Sequence, residues 1–186
     1  MNTRTRKHEQ EKEKTKMAQK INIAGARITF KNFAGRPTDW NKKGGARDFA
    51  VVLDTYEDVQ ALIDMGFSVK YFKKKEETDP DVPFLKVKVN FRYNDDGSEL
   101  LSPHIYMINN NKKVLITPQT AQILDQADIA YCDIVIRPYY YEVQGKAGVA
   151  AYLDKMYVNI EQDEFEKKYE MFDDPDEEEA EPIPFE

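Results

Sequence analysis

Side chains that usually carry catalysis are scarce in this sequence. The two histidines are His8 and His104 and the one cysteine is Cys132. A His-ligated metal or a Ser-His-Asp relay therefore has almost no raw material, and neither an intrachain disulfide nor a thiolate cluster can form. The glycines make neither a phosphate-cradling loop nor a dinucleotide fingerprint. Asn94 to Ser98 (NDDGS) resembles a fragment of a calcium loop but lacks its spacing and its bidentate acid, so it reads as a turn. Asp79 and Asp81 precede Lys86 and Lys88 as in some nucleases, yet the positions two before each lysine are Phe84 and Lys86, not acids. No enzyme, cofactor or metal is expected.

Cations and aromatics alternating along β-like runs form a clearer pattern. In Phe84 to Tyr93 (FLKVKVNFRY) Leu85, Val87, Val89 and Phe91 make an apolar face, while Phe84, Lys86, Lys88, Asn90 and Arg92 make a cationic one. One such strand is an ordinary solvated sheet face, but the pattern recurs. Arg27, Thr29, Lys31 and Phe33 share a face, with Ile28 and Phe30 opposite. The following loop, Ala34 to Arg47, gathers Arg36, Trp40, Lys42, Lys43 and Arg47 around one acid, Asp39. Tyr71 sits in a lysine-rich stretch, and Arg137, Tyr139 and Tyr141 alternate in Arg137 to Val143 (RPYYYEV) before Lys146. Aromatic rings stack on any base and lysines track phosphates, so this set suits a single nucleic-acid strand bound without sequence preference. Duplex reading would need a basic helix or ribbon, and the predicted helix Thr55 to Met65 carries Glu57, Asp58 and Asp64.

These residues need strands to position them. The periodicity predicts strands over 21–33 with a bend at Gly25, over 48–54, 67–73 and 84–93, at 105–108 and 114–117, and over 133–143 and 149–160 around the turn Gln144 to Gly148. Short helices are expected at 55–65, capped by Thr55 and stopped by Gly66, and at 118–125. The expected class is mainly β, a small barrel or sandwich with two short helices. The chain has 186 residues and a formal net charge of -7, which taken whole argues against a phosphate ligand. The charge is not evenly spread. Residues 1–20 carry 7 Lys+Arg and 3 Asp+Glu, residues 161–186 carry 2 and 13, and residues 21–160 carry 18 of each. The acidity sits in one tail, leaving a neutral body with cationic faces. A basic disordered leader (1–17), one domain (18–170) and an acidic disordered tail (171–186) are expected. With no apolar run long enough for a bilayer and no signal peptide, a cytoplasmic setting is expected.

Ile28 to Arg36 (ITFKNFAGR), Arg47-Asp48-Phe49 to Leu53-Asp54, Ile136-Arg137-Pro138-Tyr139 and Gly145 to Leu153 (GKAGVAAYL) resemble the phage-type single-stranded DNA-binding proteins, which have an OB fold. The resemblance implies a five-stranded OB barrel with additional strands. Ala34 to Arg47 would then be the loop between the first two barrel strands and Gln144 to Gly148 the tip of the last hairpin, both flanking the usual binding face. It also implies a role in DNA replication or recombination within the host bacterium. Asp173, Asp174, Glu177, Glu178 and Glu179 followed by Pro182, Ile183, Pro184 and Phe185 look like the acidic C-terminal tip of bacterial single-stranded DNA-binding proteins, which recruits replication and repair partners. Glu186 follows the phenylalanine and displaces the terminal carboxylate by one residue. The alternative from another class is an OB-like protein-interaction module, a phage inhibitor or assembly factor without DNA binding, in which the tail is the functional part.

Overall fold

The computed structural model describes residues 19–39, 41–74, 76–92, 102–109 and 112–160. The first expected strand is two strands. Gly25 adopts φ +62, a conformation open to glycine, and the ladder slips between Ile23 and Ala26. The chain turns at Arg27, so that β1 (Ile21–Ala26) and β2 (Ile28–Asn32) run on different partners. A loop leads to β3 (Arg47–Val52) and then to helix α1 (Tyr56–Asp64). Thr55 caps α1, its hydroxyl accepting from the Asp58 amide at 3.1 Å, and Glu57 and Asp58 lie at the positive end of its dipole. Gly66, at φ +89, ends it: the Gly66 amide donates to Ile63 and the Phe67 amide to Leu62, the paired bonds of a Schellman stop.

The remaining strands are β4 (Val69–Tyr71), β5 (Pro83–Val89), β6 (His104–Asn109), β7 (Lys112–Ile116), β8 (Ile129–Val143) and β9 (Lys146–Ile160), with a one-turn helix α2 (Ile123–Gln126) before β8. The expected helix at 118–125 is thus mostly turns. The expected five-residue connection between the last two strands is a tight turn at Gln144 (φ +52) and Gly145 (φ +74), the two left-handed residues that match hairpin twist.

The strand path is β1-β8-β9-β5-β3-β2, antiparallel except where β9 meets β5 and β6. Two strands share an edge between neighbours. β5 takes β4 beside its first residues and β9 beside Val87 and Lys88, while β9 takes β5 beside Ala151 and Tyr152 and then β6 from Lys155 to Asn159. The path begins and ends on the halves of one bent strand, so the chain at Arg27 joins the two edges that hydrogen bonds leave open. The fold is mainly β and OB-like, with an open seam in place of a fully closed barrel.

Inside lie Val51, Leu85, Val87, Ile136, Leu153 and Met156, all buried, with Leu124 of α2 packed into the same cluster. Leu85, Val87 and Val89 point in while Lys86 and Lys88 point out, as the alternation of that run required. Among the described residues, no helix is long and apolar enough to cross a membrane. Cys132 is fully buried, and burial, with Asp133 adding, pushes its thiol up to about 12. A thiolate is absent well above neutral pH, so the native protein at a pH of about 8 should not react with a thiol reagent. Reaction should appear only on unfolding; a stoichiometric burst in native buffer would contradict this packing.

Candidate nucleic-acid interface

Pairing defines one outer face. Across β3 and β5, Asp48 opposes Lys88, Ala50 opposes Lys86 and Val52 opposes Phe84. Across the junction, Lys88 opposes Tyr152, which opposes Arg137, and Tyr139 opposes Ala150. Lys86, Lys88, Tyr152, Arg137 and Tyr139 are therefore on one side of a continuous sheet.

Two grooves open on this face. The first, about 890 Å³, lies between β5 and the β2–β3 loop, and is lined among others by Phe30, Lys31, Lys70, Phe84, Lys86 and Arg36. Two of its lining rings are bridged by a third: Phe72 stacks on Phe84 at 4.5 Å and meets Phe30 at 5.3 Å. The second, about 370 Å³, is lined by Asn90, Arg92, Arg137, Pro138, Tyr139 and Tyr152. There Tyr139 meets Tyr152 edge-on at 5.6 Å, and the Lys88 ammonium lies 5.5 Å from the centre of the Tyr152 ring. With its amide oxygen turned towards the guanidinium, Asn90 accepts from Arg92 Nε at 2.9 Å. Tyr141 continues the face onto the hairpin, and its ring lies over Gly148. A Cβ at 148 would meet the tyrosine hydroxyl at 2.6 Å.

The loop beside the first groove is anchored at its base. The buried carboxylate of Asp125 accepts from the amides of Phe33 (2.6 Å) and Ala34 (3.1 Å) and lies 3.7 Å from Arg36. Asn32 ties the two ends, accepting from the Arg36 amide at 2.7 Å and donating to the Arg36 and Ala46 carbonyls. Gly44 passes so close to the Gly35 carbonyl that a Cβ would sit 3.0 Å from it, and its φ is +70. Arg36, Lys42 and Lys43 are exposed on this braced loop.

Several residues lie elsewhere than expected. Phe33 is not on the outer face: it is 0 % exposed and stacks on Phe49 at 5.2 Å in the core. Phe30, expected to point inward, is 68 % exposed. The cause is a slip in the β2–β3 ladder between Thr29 and Asn32, with Phe30 itself at φ +48, which inverts the alternation. Tyr71 is also off this face. It opposes Pro83, in phase with Val69 and Leu85, and Lys70 is the residue of β4 that lines the groove.

Arg27 lines neither groove: its guanidinium is bound by Asp54, whose hydrogen bond and charge raise its pKa further. Arg47 is half-buried as a strut, donating to the Pro118 carbonyl at 3.1 Å and stacking over Phe91. Lys31 lines the first groove while donating to the Ala127 carbonyl at 2.6 Å. Lys86 is 3.0 Å from Asp48, the one acid among the described lining residues of that groove. Lys146 is exposed beside the hairpin turn. Trp40 and the tail residues from Asp173 to Phe185 lie outside the described residues.

The sequence from residue 10 to residue 182 matches the family model described as "Putative phage ssDNA-binding domain". The chain belongs to that family. Among solved structures it is similar to the single-stranded DNA-binding protein from bacteriophage Enc34 in complex with ssDNA, at 11% identity over 77% of this chain and 88% of that one, with a TM-score of 0.49. It is also similar to gp2.5, a single-stranded DNA binding protein encoded by bacteriophage T7, at 12% identity over 90% of this chain and 100% of that one, with a TM-score of 0.40. No curated protein matches it by sequence.

The exchange of Phe30 and Phe33 is directly measurable. Phe33→Ala removes a stacked core ring and should cost about 3–5 kcal/mol in urea unfolding. Phe30→Ala removes an exposed ring and should stay within about 1 kcal/mol of the unaltered protein. Equal losses would contradict the slip in the ladder.

Proposed function

We propose that the chain binds single-stranded DNA without sequence specificity, by base stacking and phosphate contacts and without catalysis. The observation that carries this reading is the single outer face on which Phe30, Phe84, Tyr152 and Tyr139 alternate with Lys86, Lys88, Arg92 and Arg137. Rings of this kind stack on bases of any identity, each contributing on the order of 1–3 kcal/mol, and the cations between them neutralise phosphates. Membership of the family supports the reading. Arg36, Lys42 and Lys43 on the β2–β3 loop, and Lys146 at the head of β9 beside the β8–β9 loop, add phosphate contacts at the borders of the face. Trp40, in the β2–β3 loop, is a further stacking residue in this reading. The setting is phage DNA replication or recombination in the host cytoplasm.

Titration of the full chain with oligo-dT and with duplex of equal length tests this. Preference for the single strand is expected, with affinity falling as salt rises. Removing Lys86 or Lys88 should lower the salt slope by about 0.7 for each phosphate that is no longer neutralised. Phe30→Ala should weaken binding about fivefold or more, the lower end of one stacked base. Equal preference for duplex, or no binding at low salt, would overturn the proposal.

The acidic tail, with Asp173, Asp174 and Glu177 to Glu179 ahead of Pro182 to Phe185, modulates binding by competing for the cationic face, or recruits replication and recombination proteins. Deleting residues 171–186 should raise DNA affinity most at low salt, because that competition is screened near 0.15 M, where the Debye length is about 8 Å. Unchanged affinity across the salt series would remove the competitive role.

A further inference from the structure

The outer face does not end at Tyr152. In β9 the ladder slips opposite Val135 and Ile136, so that Val135 opposes Lys155 and Ile136 opposes Leu153, leaving Asp154 as the extra residue. The slip inverts the phase of the strand. Inward positions pass from Ala151 and Leu153 to Met156 and Val158, and outward positions from Tyr152 to Lys155 and Tyr157. Parallel pairing with β6 sets Tyr106 beside Tyr157, and the two rings stack at 5.3 Å with planes 18° apart. From β7, the Lys113 ammonium lies 3.9 Å from the centre of the Tyr106 ring and 5.3 Å from that of Tyr157. The arrangement repeats the chemistry of Lys88 over Tyr152. It lies five residues further along the same strand, about 17 Å at 3.3 Å per residue.

The charges of this region are unevenly committed. Asp154 is held by Lys20 at 2.7 Å, and Asp133, opposite Tyr157, accepts from the Gly25 amide at 2.9 Å. Lys113 is exposed and makes no ion pair among the described residues, and Lys155 makes none there either. An ammonium over an aromatic pair, with no carboxylate partner among the described residues, is matched to a ligand that brings both an anion and a π-face.

We infer that Tyr106, Tyr157 and Lys113 form a second station for the same DNA strand, carrying its path from the groove at Tyr139 and Tyr152 onto the β6–β7 hairpin. The tyrosines take a base, and Lys113 with Lys155 takes the flanking phosphates. This inference rests on the single-stranded DNA reading above.

The test uses the full chain and two lengths of oligo-dT, about 4 and about 16 nucleotides, the range over which OB folds occlude a strand. On the longer oligonucleotide, Tyr106→Leu should lower affinity about fivefold or more, and Lys113→Ala, at an exposed position, should lower the salt slope by about 0.7. Tyr106→Phe should bind as the unaltered protein does, since stacking does not need the hydroxyl. None of the three should change binding of the shorter oligonucleotide, which fills the groove at Tyr139 and Tyr152. Unaltered affinity for the longer strand would overturn the second station and leave these residues to packing or to another partner. Equal loss on both lengths would overturn it too, as damage to the whole fold. If the unaltered chain bound neither length, the DNA reading itself would fall, a result distinct from failure of the station alone.

Discussion

One strand has to serve both edges of the sheet, and most of the molecule follows from how it does so. β1 pairs with β8 and β2 with β3, and only a sharp change of direction at Gly25–Arg27 lets consecutive residues reach partners on opposite sides. A straight strand over 21–33 would leave β8 or β3 with an unpaired edge, which costs backbone hydrogen bonds and invites pairing with other chains. The bend joins the two ends of the path through the covalent chain. The apolar cluster of Val87, Ile136, Leu153 and Met156 then lies within the curve of the sheet.

The slip further along the same strand links this closure to the outer face. Between Thr29 and Asn32 the ladder loses register, so the ring at 30 goes outward and the ring at 33 inward. Burial of Phe33 against Phe49 also fixes where the β2–β3 loop leaves the sheet, and the Asp125 carboxylate holds the two amides that follow. A charged acceptor on two buried-side amides makes stronger hydrogen bonds than a neutral one, which suits a loop that must keep its shape while presenting Arg36, Lys42 and Lys43. Core packing, loop anchoring and the exposed aromatic wall are thus settled within a few consecutive residues.

The sequence made the regular parts of this plan legible. β5 alternates without interruption, so Leu85, Val87 and Val89 could be placed inside and Lys86 and Lys88 outside from periodicity alone. The cap at Thr55 and the stop at Gly66 announced α1 in the same way. Periodicity failed where a ladder slips with no glycine to announce it, because one extra residue inverts the later assignments on that strand. That is why Phe30 and Phe33 exchanged roles, and why Tyr106, Tyr157 and Lys113 formed no visible group: they come from three strands and a phase change at Asp154. Tyr71 fails for a related reason. A strand of three residues has too few positions to reveal its own phase, and only its pairing with β5 sets it.

Charge shows the same contrast between count and placement. Of the cations that composition makes available, Arg27 is bound by Asp54, Arg47 braces Pro118, and Lys31 holds the Ala127 carbonyl. Counting basic residues therefore overstates what a polyanion can meet. Lys86, Lys88, Arg92 and Arg137 gain weight in proportion, since they stand between rings on one surface, and even there Asp48 holds Lys86 at 3.0 Å. On the proposed reading, a strand entering the first groove competes with that carboxylate for its phosphate contact, which favours modest, salt-sensitive electrostatics there and leaves stacking as the steadier component. On the same reading, such a surface would let a strand exchange one base for the next along it. Moderate individual contacts suit non-specific binding better than a few strong ones.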